Sequence, residues 1–236
     1  MPNSDTAWAL FTRLGEAQIL LPAMAAALLW LWRTPGTRPL AAAWVLSTSA
    51  AALLTLVTKV AFIGWELGFA PLDFTGLSGH AMFAGAVWPV LVRIAAGRAP
   101  RPWPRRAIAF GVLLAVGIAV SRVVTGAHSA SEALLGLLFG LAASALALRR
   151  TQAPEAPTPG WLAVGLAAWM LALPVAAPPS RSHDLVTQLS LKLSGRSAPY
   201  TRHAMHRQAA LKRSHLLSSR AGLAGTPAGQ LHSQPV

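Results

Sequence analysis

The stretch SRVVTGAHSASEALLG, residues 121–136, places three titratable side chains between two long apolar runs. The run AIAFGVLLAVGIAV precedes it, and the run ALLGLLFGLAASALAL begins within it and continues beyond it. Apolar runs of this kind are typical of membrane-spanning helices. Arg122, His128 and Glu132 therefore lie at the edge of hydrocarbon, where ionisable groups indicate a functional site.

The composition of the 236-residue chain is that of a membrane protein. Hydrophobic residues make up 54% and charged residues 11%, with a mean hydropathy of +0.49, whereas soluble domains carry about 25% charged residues. The chain has no cysteine, which excludes disulfides, thiol nucleophiles and cysteine-ligated metals. The net charge is +13, but the basic residues lie in connectors and a tail, so we expect membrane lipids and no nucleic acid as partners.

Six apolar stretches approach the roughly 20 residues that a helix needs to cross a bilayer. They are residues 17–32, 39–63, 80–97, 106–124, 129–149 and 160–178. These stretches predict an all-α fold, a polytopic membrane helix bundle with about six transmembrane helices. The predicted organisation is an N-terminal segment (1–16), a transmembrane domain (17–178) and a basic C-terminal tail (179–236). Gly136 and Gly140 form a small-xxx-small pair that predicts close helix packing.

The distribution of arginine predicts which ends of the spans face the cytoplasm. Nine arginines lie in the connectors at 33–38 and 93–106 and at 149–150. Positively charged connectors stay on the cytoplasmic side, so residues 64–80 and 121–132 are predicted to face the periplasm across a bacterial-type inner membrane. An even number of spans also sends the tail outside, although it holds eight of the twenty Lys and Arg residues.

A second polar stretch, DFTGLSGHAMFAG at residues 73–85, lies on the same predicted side. Ser78, Gly79 and His80 open an apolar helix, and a helix start offers free backbone N–H groups and a positive dipole end to an anion. Gly79 allows a ligand to approach the backbone closely. The alternative is structural: Ser78 is an N-cap, and His80 is a polar residue at the membrane interface.

His128 and Glu132 are four residues apart, so on a helix they lie on one face and can touch. A carboxylate beside an imidazole fixes its tautomer and stabilises the imidazolium, as a histidine nucleophile or base requires. The competing interpretation is a metal site, but no third ligand has a suitable spacing, and we predict no metal and no cofactor. Arg122 taken alone is also compatible with a snorkelling interfacial arginine.

The motifs resemble those of the PAP2 family, the type 2 phosphatidic acid phosphatases, which share their site with vanadium haloperoxidases. That family carries K-x6-RP, then PSGH, then SR-x5-H-x3-D. The second motif matches Leu77-Ser78-Gly79-His80, and the third matches Ser121-Arg122, His128 and Glu132, with Glu in place of Asp. The resemblance covers roughly residues 55–145 and fits a membrane member with six spans.

The first motif departs most from the family pattern. Lys59 stands at the lysine position, but Glu66 stands seven residues later, where the family has arginine. A carboxylate facing a phosphate would be repulsive, so we expect Glu66 to point away or to pair with Arg122 or Lys59. Glutamate at 132 keeps the carboxylate and adds one methylene, so its orienting role is expected to survive.

The resemblance implies a metal-independent phosphatase that acts on a phosphorylated lipid. His128 is implied as the nucleophile that forms a phosphohistidine, with Glu132 orienting it and His80 protonating the leaving oxygen and then activating water. The implied phosphate ligands are Lys59, Ser78, Gly79 and Arg122. The alternative is a protein that keeps the fold and binds a phosphorylated lipid without turnover.

The tail divides into two parts. Residues 183–194, HDLVTQLSLKLS, have a partly amphipathic order that ends at Gly195, which predicts a short interfacial helix. From Arg196 onward Ser, Gly, Pro, His and Arg dominate, and we expect disorder. The tail histidines are expected to be solvated rather than metal-bound; they are His203, His206 and His215.

Overall fold

The computed structural model describes residues 4–97, 102–149, 159–176, 178 and 180–224. These residues form nine α-helices and a single 3-10 turn, with no strand longer than an isolated bridge. The helices are α1 (Ser4–Arg13), α2 (Ala17–Arg33), α3 (Arg38–Trp65), α4 (Gly79–Ala95), α5 (Trp103–Val124), α6 (Ala130–Arg149), α7 (Gly160–Ala176), α8 (Ser182–Ser194) and α9 (Arg202–Ala224). The fold is an all-α membrane helix bundle.

Each of the six predicted spans corresponds to one helix, from α2 to α7. Within the described residues, four segments are long and apolar enough to cross a membrane. They are Thr6–Arg33, Arg38–Trp65, Trp103–Val124 and Ala130–Arg149. The helices α4 and α7 are apolar but shorter. At 1.5 Å per residue the 17 residues of α4 extend about 25 Å, slightly less than the hydrocarbon thickness.

The short helix α4 lies at the centre of the bundle and packs against α5, α6 and α2. Its residues from Met82 to Leu91 are buried with one exception, so its apolar surface meets protein rather than lipid. Two glycines of α6 let that helix approach closely: a Cβ at Gly136 would lie 2.5 Å from the Ser78 carbonyl oxygen, and one at Gly140 2.1 Å from the Met82 carbonyl oxygen. The predicted close packing is confirmed, and its partner is α4.

The predicted N-terminal segment forms α1, which packs against α5 and α7. Trp88 of α4 donates a hydrogen bond from Nε1 to the Leu14 carbonyl oxygen at 3.1 Å. A Cβ at Gly15 would lie 2.6 Å from a side-chain carbon of Ile118, so this junction between α1 and α2 needs glycine. The segment therefore packs against the helix bundle.

The tail contains a helix at the predicted position and departs from the predicted disorder. The predicted short helix is α8, which ends at Gly195 in the left-handed conformation, with φ of +70°, and packs along α3. The expected disorder from Arg196 onward is wrong for residues 202–224, which form α9. Thr201 precedes this helix and caps its start, since its hydroxyl accepts a hydrogen bond from Ala204 N at 3.2 Å. The Ala, Leu, Gln, Lys and Arg residues that follow favour the helical conformation. Residues 225–236 lie outside the described part.

The chain topology brings four helix ends together at one end of the bundle. The C-terminal ends of α3 and α5 meet the N-terminal ends of α4 and α6 there, and the segment between α8 and α9 covers them. A backbone hydrogen bond from Ser78 N to the Glu132 carbonyl oxygen, at 3.1 Å, joins the starts of α4 and α6. The two predicted motifs are therefore adjacent in space.

Candidate active site

A cavity of about 980 Å³ opens at this end of the bundle. Most of the predicted site residues line it, together with residues of the loop before α4 and of the tail. Near the motifs, the cavity is lined by the backbone of Gly79 and by the polar side chains of Lys59, Thr75, His80, Arg122, His128 and Arg202. Glu132 lies behind His128 and is fully buried. The cavity thus gathers both motifs around one space.

His128 and Glu132 are in contact: Nδ1 lies 2.7 Å from Oε2. The contact does not arise on one helix face, because α6 begins only at Ala130 and His128 precedes it. Ser129 and Glu132 instead form a capping box, in which Ser129 N donates to Oε2 at 3.1 Å and Glu132 N donates to Ser129 Oγ at 3.4 Å. The capping box at the start of α6 therefore holds the Glu132 carboxylate in place, and this carboxylate in turn orients the His128 imidazole.

Glu132 accepts further hydrogen bonds from outside its own helix. Thr75 donates to Oε1 from its backbone N at 2.6 Å and from its hydroxyl at 2.5 Å. Arg202 Nη2 lies 2.8 Å from both carboxylate oxygens. Each oxygen therefore faces three donors, which compensates the cost of burying the charge.

The environment of His128 favours a neutral imidazole. Burial lowers the pKa of His128 below its ordinary value, and the positive charges of Lys59 and Arg122 lower this pKa further, whereas the hydrogen bond to Glu132 opposes the shift. The Nδ1–H that points at Glu132 leaves the lone pair on Nε2. His128 can therefore act as a nucleophile through Nε2.

Three groups around the cavity have donors that other side chains do not use. Arg122 donates from Nη1 to Thr12 Oγ1 at 3.2 Å, but its Nε is buried without a hydrogen-bond partner among the described residues. Lys59 and His80 line the same cavity and make no side-chain hydrogen bond or ion pair with any residue in the described ranges. Buried donors in native proteins are normally satisfied, so this arrangement fits an anion.

The start of α4 separates the roles of two predicted phosphate ligands. Ser78 is fully buried, and its hydroxyl accepts from Ala81 N at 3.5 Å as the N-cap. Its hydroxyl does not line the cavity, which favours the structural interpretation for this residue. Gly79 does line it, and a Cβ there would meet nothing closer than 4.0 Å, so the backbone at the helix start is accessible from the cavity.

Glu66 points away from the phosphate site, which is one of the two predicted alternatives, and it pairs with neither Arg122 nor Lys59. Glu66 ends α3 in the left-handed conformation, with φ of 61°, and Arg196 Nη1 lies 2.6 Å from its Oε1. The hydrogen bond from Arg196 lowers the pKa of Glu66 below its ordinary value. A carboxylate at this position therefore contacts the tail instead of the anion site.

The most important contact that the sequence did not predict is that of Arg202. Its guanidinium contacts Glu132, Thr75 and Asp73, and His206 Nε2 lies 2.6 Å from the Asp73 carboxylate. No local pattern marks these residues, since Arg202 and Glu132 are 70 positions apart. One signal was available: two acids, Glu66 and Asp73, stand in a loop facing a basic tail. Within the described residues, no three His, Cys, Asp or Glu side chains form a cluster that could hold a metal ion.

Comparison with known proteins agrees with this geometry. The sequence model of the PAP2 superfamily matches residues 63–155, which include both motifs at the cavity. The chain is 34% identical over 209 residues to a Klebsiella pneumoniae protein described as "Uncharacterized 22.5 kDa protein in cps region", and the match covers 86% of this chain and 99% of that protein. No solved structure matches the chain. With these motifs on this helical scaffold, the chain belongs to the PAP2 superfamily.

Proposed function

We propose that the protein is a membrane-embedded phosphatase that hydrolyses a lipid phosphomonoester or diphosphate without a metal ion. The observation that carries this proposal is the pairing of two features in one cavity. His128 has its Nδ1 engaged by Glu132 at 2.7 Å. Lys59, His80 and Arg122 line the same cavity, and among the described residues the side chains of Lys59 and His80 and the buried Arg122 Nε have no hydrogen-bond partner. A nucleophile and an anion site are thus next to each other.

The first chemical step is in-line attack of His128 Nε2 on phosphorus. A P–N bond forms, the P–O bond to the lipid alcohol or phosphate breaks, and His80 donates a proton to the departing oxygen. Positive charge develops on the His128 ring, and Glu132 stabilises it through Nδ1. Lys59, Arg122 and the backbone N–H at Gly79 neutralise the equatorial oxygens.

The second step releases inorganic phosphate. The now neutral His80 takes a proton from water, and the resulting oxygen nucleophile attacks phosphorus and breaks the P–N bond. His128 leaves as a neutral imidazole, still oriented by Glu132. Both steps use the same cationic groups, since lysine, arginine and a helix start supply the positive field that phosphoryl transfer needs.

A lipid substrate fits the position of the cavity. The polar groups lie where the spanning helices end, which favours a substrate whose phosphate lies at headgroup depth, and the α3 side of the cavity continues into apolar residues such as Ala52 and Leu56. A phosphate carried on a hydrocarbon tail could place its charge at Arg122 and its tail along α3. The arginine distribution favours a periplasmic position of this cavity in a bacterial inner membrane, so we propose that substrates come from the outer leaflet.

The test is hydrolysis by purified full-length protein in detergent micelles. A panel of lipid phosphomonoesters and diphosphates is incubated with a chelator present, and inorganic phosphate is measured. We expect turnover by the native protein and its loss in His128→Ala and His80→Ala. Unchanged turnover in either variant would refute the assigned mechanism. Acid-labile radiolabel on the native protein, absent in His128→Ala, would identify the phosphohistidine directly.

A binding protein without turnover is the second candidate, and Glu66 is the observation that favours it. The family pattern has an arginine at this position, and its loss removes one positive charge from the phosphate site. In that case the panel would give saturable binding of phosphorylated lipid, no released phosphate, and weaker binding in Arg122→Ala. Binding and release are measured on the same samples, so the two functions give different results.

A further inference from the structure

The first residue of the C-terminal helix reaches the buried carboxylate of the site. Arg202 begins α9, and its Nη2 lies 2.8 Å from both oxygens of Glu132. Its Nη1 donates to the carbonyl oxygen of Asp73 at 2.8 Å and contacts the Asp73 carboxylate. The guanidinium therefore bridges the loop before α4 and the start of α6, next to the pair that orients the nucleophile.

The hydrogen bonds of Arg202 define what it can do. Both terminal nitrogens are engaged by Asp73, Thr75 and Glu132, so they are not available to a phosphate. Arg122 differs, because its buried Nε has no partner among the described residues. Arg202 must act through Glu132, whereas Arg122 can bind the anion itself.

Several independent contacts hold Arg202 in this position. Tyr200 N donates to the Ile63 carbonyl oxygen at 3.1 Å, and its ring lies 5.2 Å from that of Phe62, centroid to centroid. Met205, one turn into α9, is buried with Phe62 and Ile63. Arg196 adds the ion pair with Glu66. The tail is thus docked on both sides of Arg202 by apolar, backbone and ionic contacts.

We propose that Arg202 is a positioning residue of the active site, which holds Glu132 against His128 and makes the C-terminal helix a component of the catalytic machinery. This inference rests on the proposed phosphatase function. It also accounts for Glu66 and Asp73 in the outer loop, since both are partners of tail arginines. The tail then serves the site from the same end of the bundle, rather than forming a separate appendage.

Loss of Arg202 has two physical consequences. Glu132 loses a partner whose nitrogen Nη2 contacts both of its oxygens and is held less firmly against Nδ1, which lowers kcat without removing a phosphate ligand. The charge of Glu132 is also less compensated, so the His128 imidazolium is favoured and the acid limb of the pH profile moves to higher pH. The charged and titratable groups that face His128 from the packed elements are Lys59, His80, Arg122, Glu132 and Arg202.

The experiment compares three full-length variants. Arg202→Gln is expected to lower kcat at least about tenfold, the fold-change that corresponds to 1.4 kcal/mol, with KM within about twofold of the native value. Arg202→Lys keeps the charge but cannot bridge two carboxylates with a planar fork, so we expect partial activity and an unshifted acid limb. Arg207→Gln makes the same charge change five residues along α9 at an exposed position, and we expect native kinetics.

A second measurement separates this inference from the proposed function. Histidine-selective ¹⁵N labelling in micelles reports the titration and tautomer of His128 without any substrate, with His128→Ala to assign the signal. We expect a higher titration midpoint in Arg202→Gln and a native one in Arg207→Gln. If the native protein hydrolyses no lipid phosphate, the proposed function fails while this result still tests the positioning role. Native kcat or a native midpoint in folded Arg202→Gln would overturn the inference; if that variant does not fold, native kcat in Arg202→Lys would do so.

Discussion

Replacing Glu132 with glutamine removes the negative charge of the site while conserving its shape. The two carboxylate oxygens face three donors each: Oε1 faces Thr75 N, Thr75 Oγ1 and Arg202, and Oε2 faces His128, Ser129 N and Arg202. The NH₂ group of a glutamine must take the position of either Oε1 or Oε2, and it then faces three donors instead of acceptors. If the NH₂ faces His128, the imidazole has to adopt the other tautomer, which protonates Nε2 and removes the nucleophile.

The expected loss follows from the hydrogen bond to His128. A hydrogen bond to a charged group contributes about 1.5–3 kcal/mol, and the 2.7 Å contact with the Glu132 carboxylate strengthens when the imidazolium forms, because both partners are then charged. Loss of that stabilisation corresponds to a decrease in kcat of about 10- to 150-fold, and the wrong tautomer adds to it. KM should change little, because the Glu132 side chain has no hydrogen bond with a phosphate ligand of the proposed set.

The control is Glu132→Asp, which keeps the charge and restores the residue that the family pattern has at this position. Aspartate is shorter by one methylene, so we expect part of the activity to remain. Glutamine completes the capping box with Ser129 only when its carbonyl oxygen takes the Oε2 position, so the helix content is compared in both variants. Phosphate release is measured in micelles beside far-UV circular dichroism. Equal activity loss in the two variants, with native helicity, would refute the orienting role and indicate a structural one.

The remaining predictions concern pH, packing and orientation. Because the pKa of His128 is lowered, its neutral form persists on acidification, so the acid limb of kcat/KM should lie below about pH 6.5; a limb above that value would contradict the assignment. Gly140→Ala should lower the thermal unfolding midpoint, since its Cβ would lie 2.1 Å from a backbone oxygen of α4, whereas Gly165→Ala, with no atom within 4 Å, should not. In intact spheroplasts, Leu67→Cys should react with a membrane-impermeant maleimide and Pro35→Cys should not; the reverse pattern would place the cavity in the cytoplasm.

Hydropathy and motif spacing predicted the bundle and much of the site for physical reasons that act locally. A span of apolar residues must form a helix in lipid because every backbone group has to be satisfied internally, so the six helices could be located closely from composition. The contact between His128 and Glu132 depends on four residues of chain, although the structure achieves it through a helix cap rather than a helix face. Such features need no knowledge of distant partners.

The contacts of the tail could not be predicted in this way. Arg196 and Glu66 are 130 positions apart, and Arg202 and Glu132 are 70 apart, so no spacing connects them. Disorder was expected because residues 196–236 were judged together by their average composition. Residues 202–224 contain enough helix-forming side chains for α9, and the buried contacts of Tyr200 and Met205 hold its start. Local helix preference and tertiary packing together produce α9.

The polar groups of the site differ in whether the protein itself supplies their hydrogen-bond partners, and this difference matches their proposed roles. Glu132 is fully buried and has donors on both oxygens, so the protein alone completes its environment. Lys59, His80 and Arg122 line the cavity, and among the described residues Lys59, His80 and the buried Arg122 Nε lack comparable partners. A rigid carboxylate is what an orienting group requires, because any freedom in it would be transmitted to the nucleophile. Unpaired donors are what an anion site requires, because a phosphate then replaces no existing bond. A purely structural cluster would have no reason to satisfy one half completely and leave the other open.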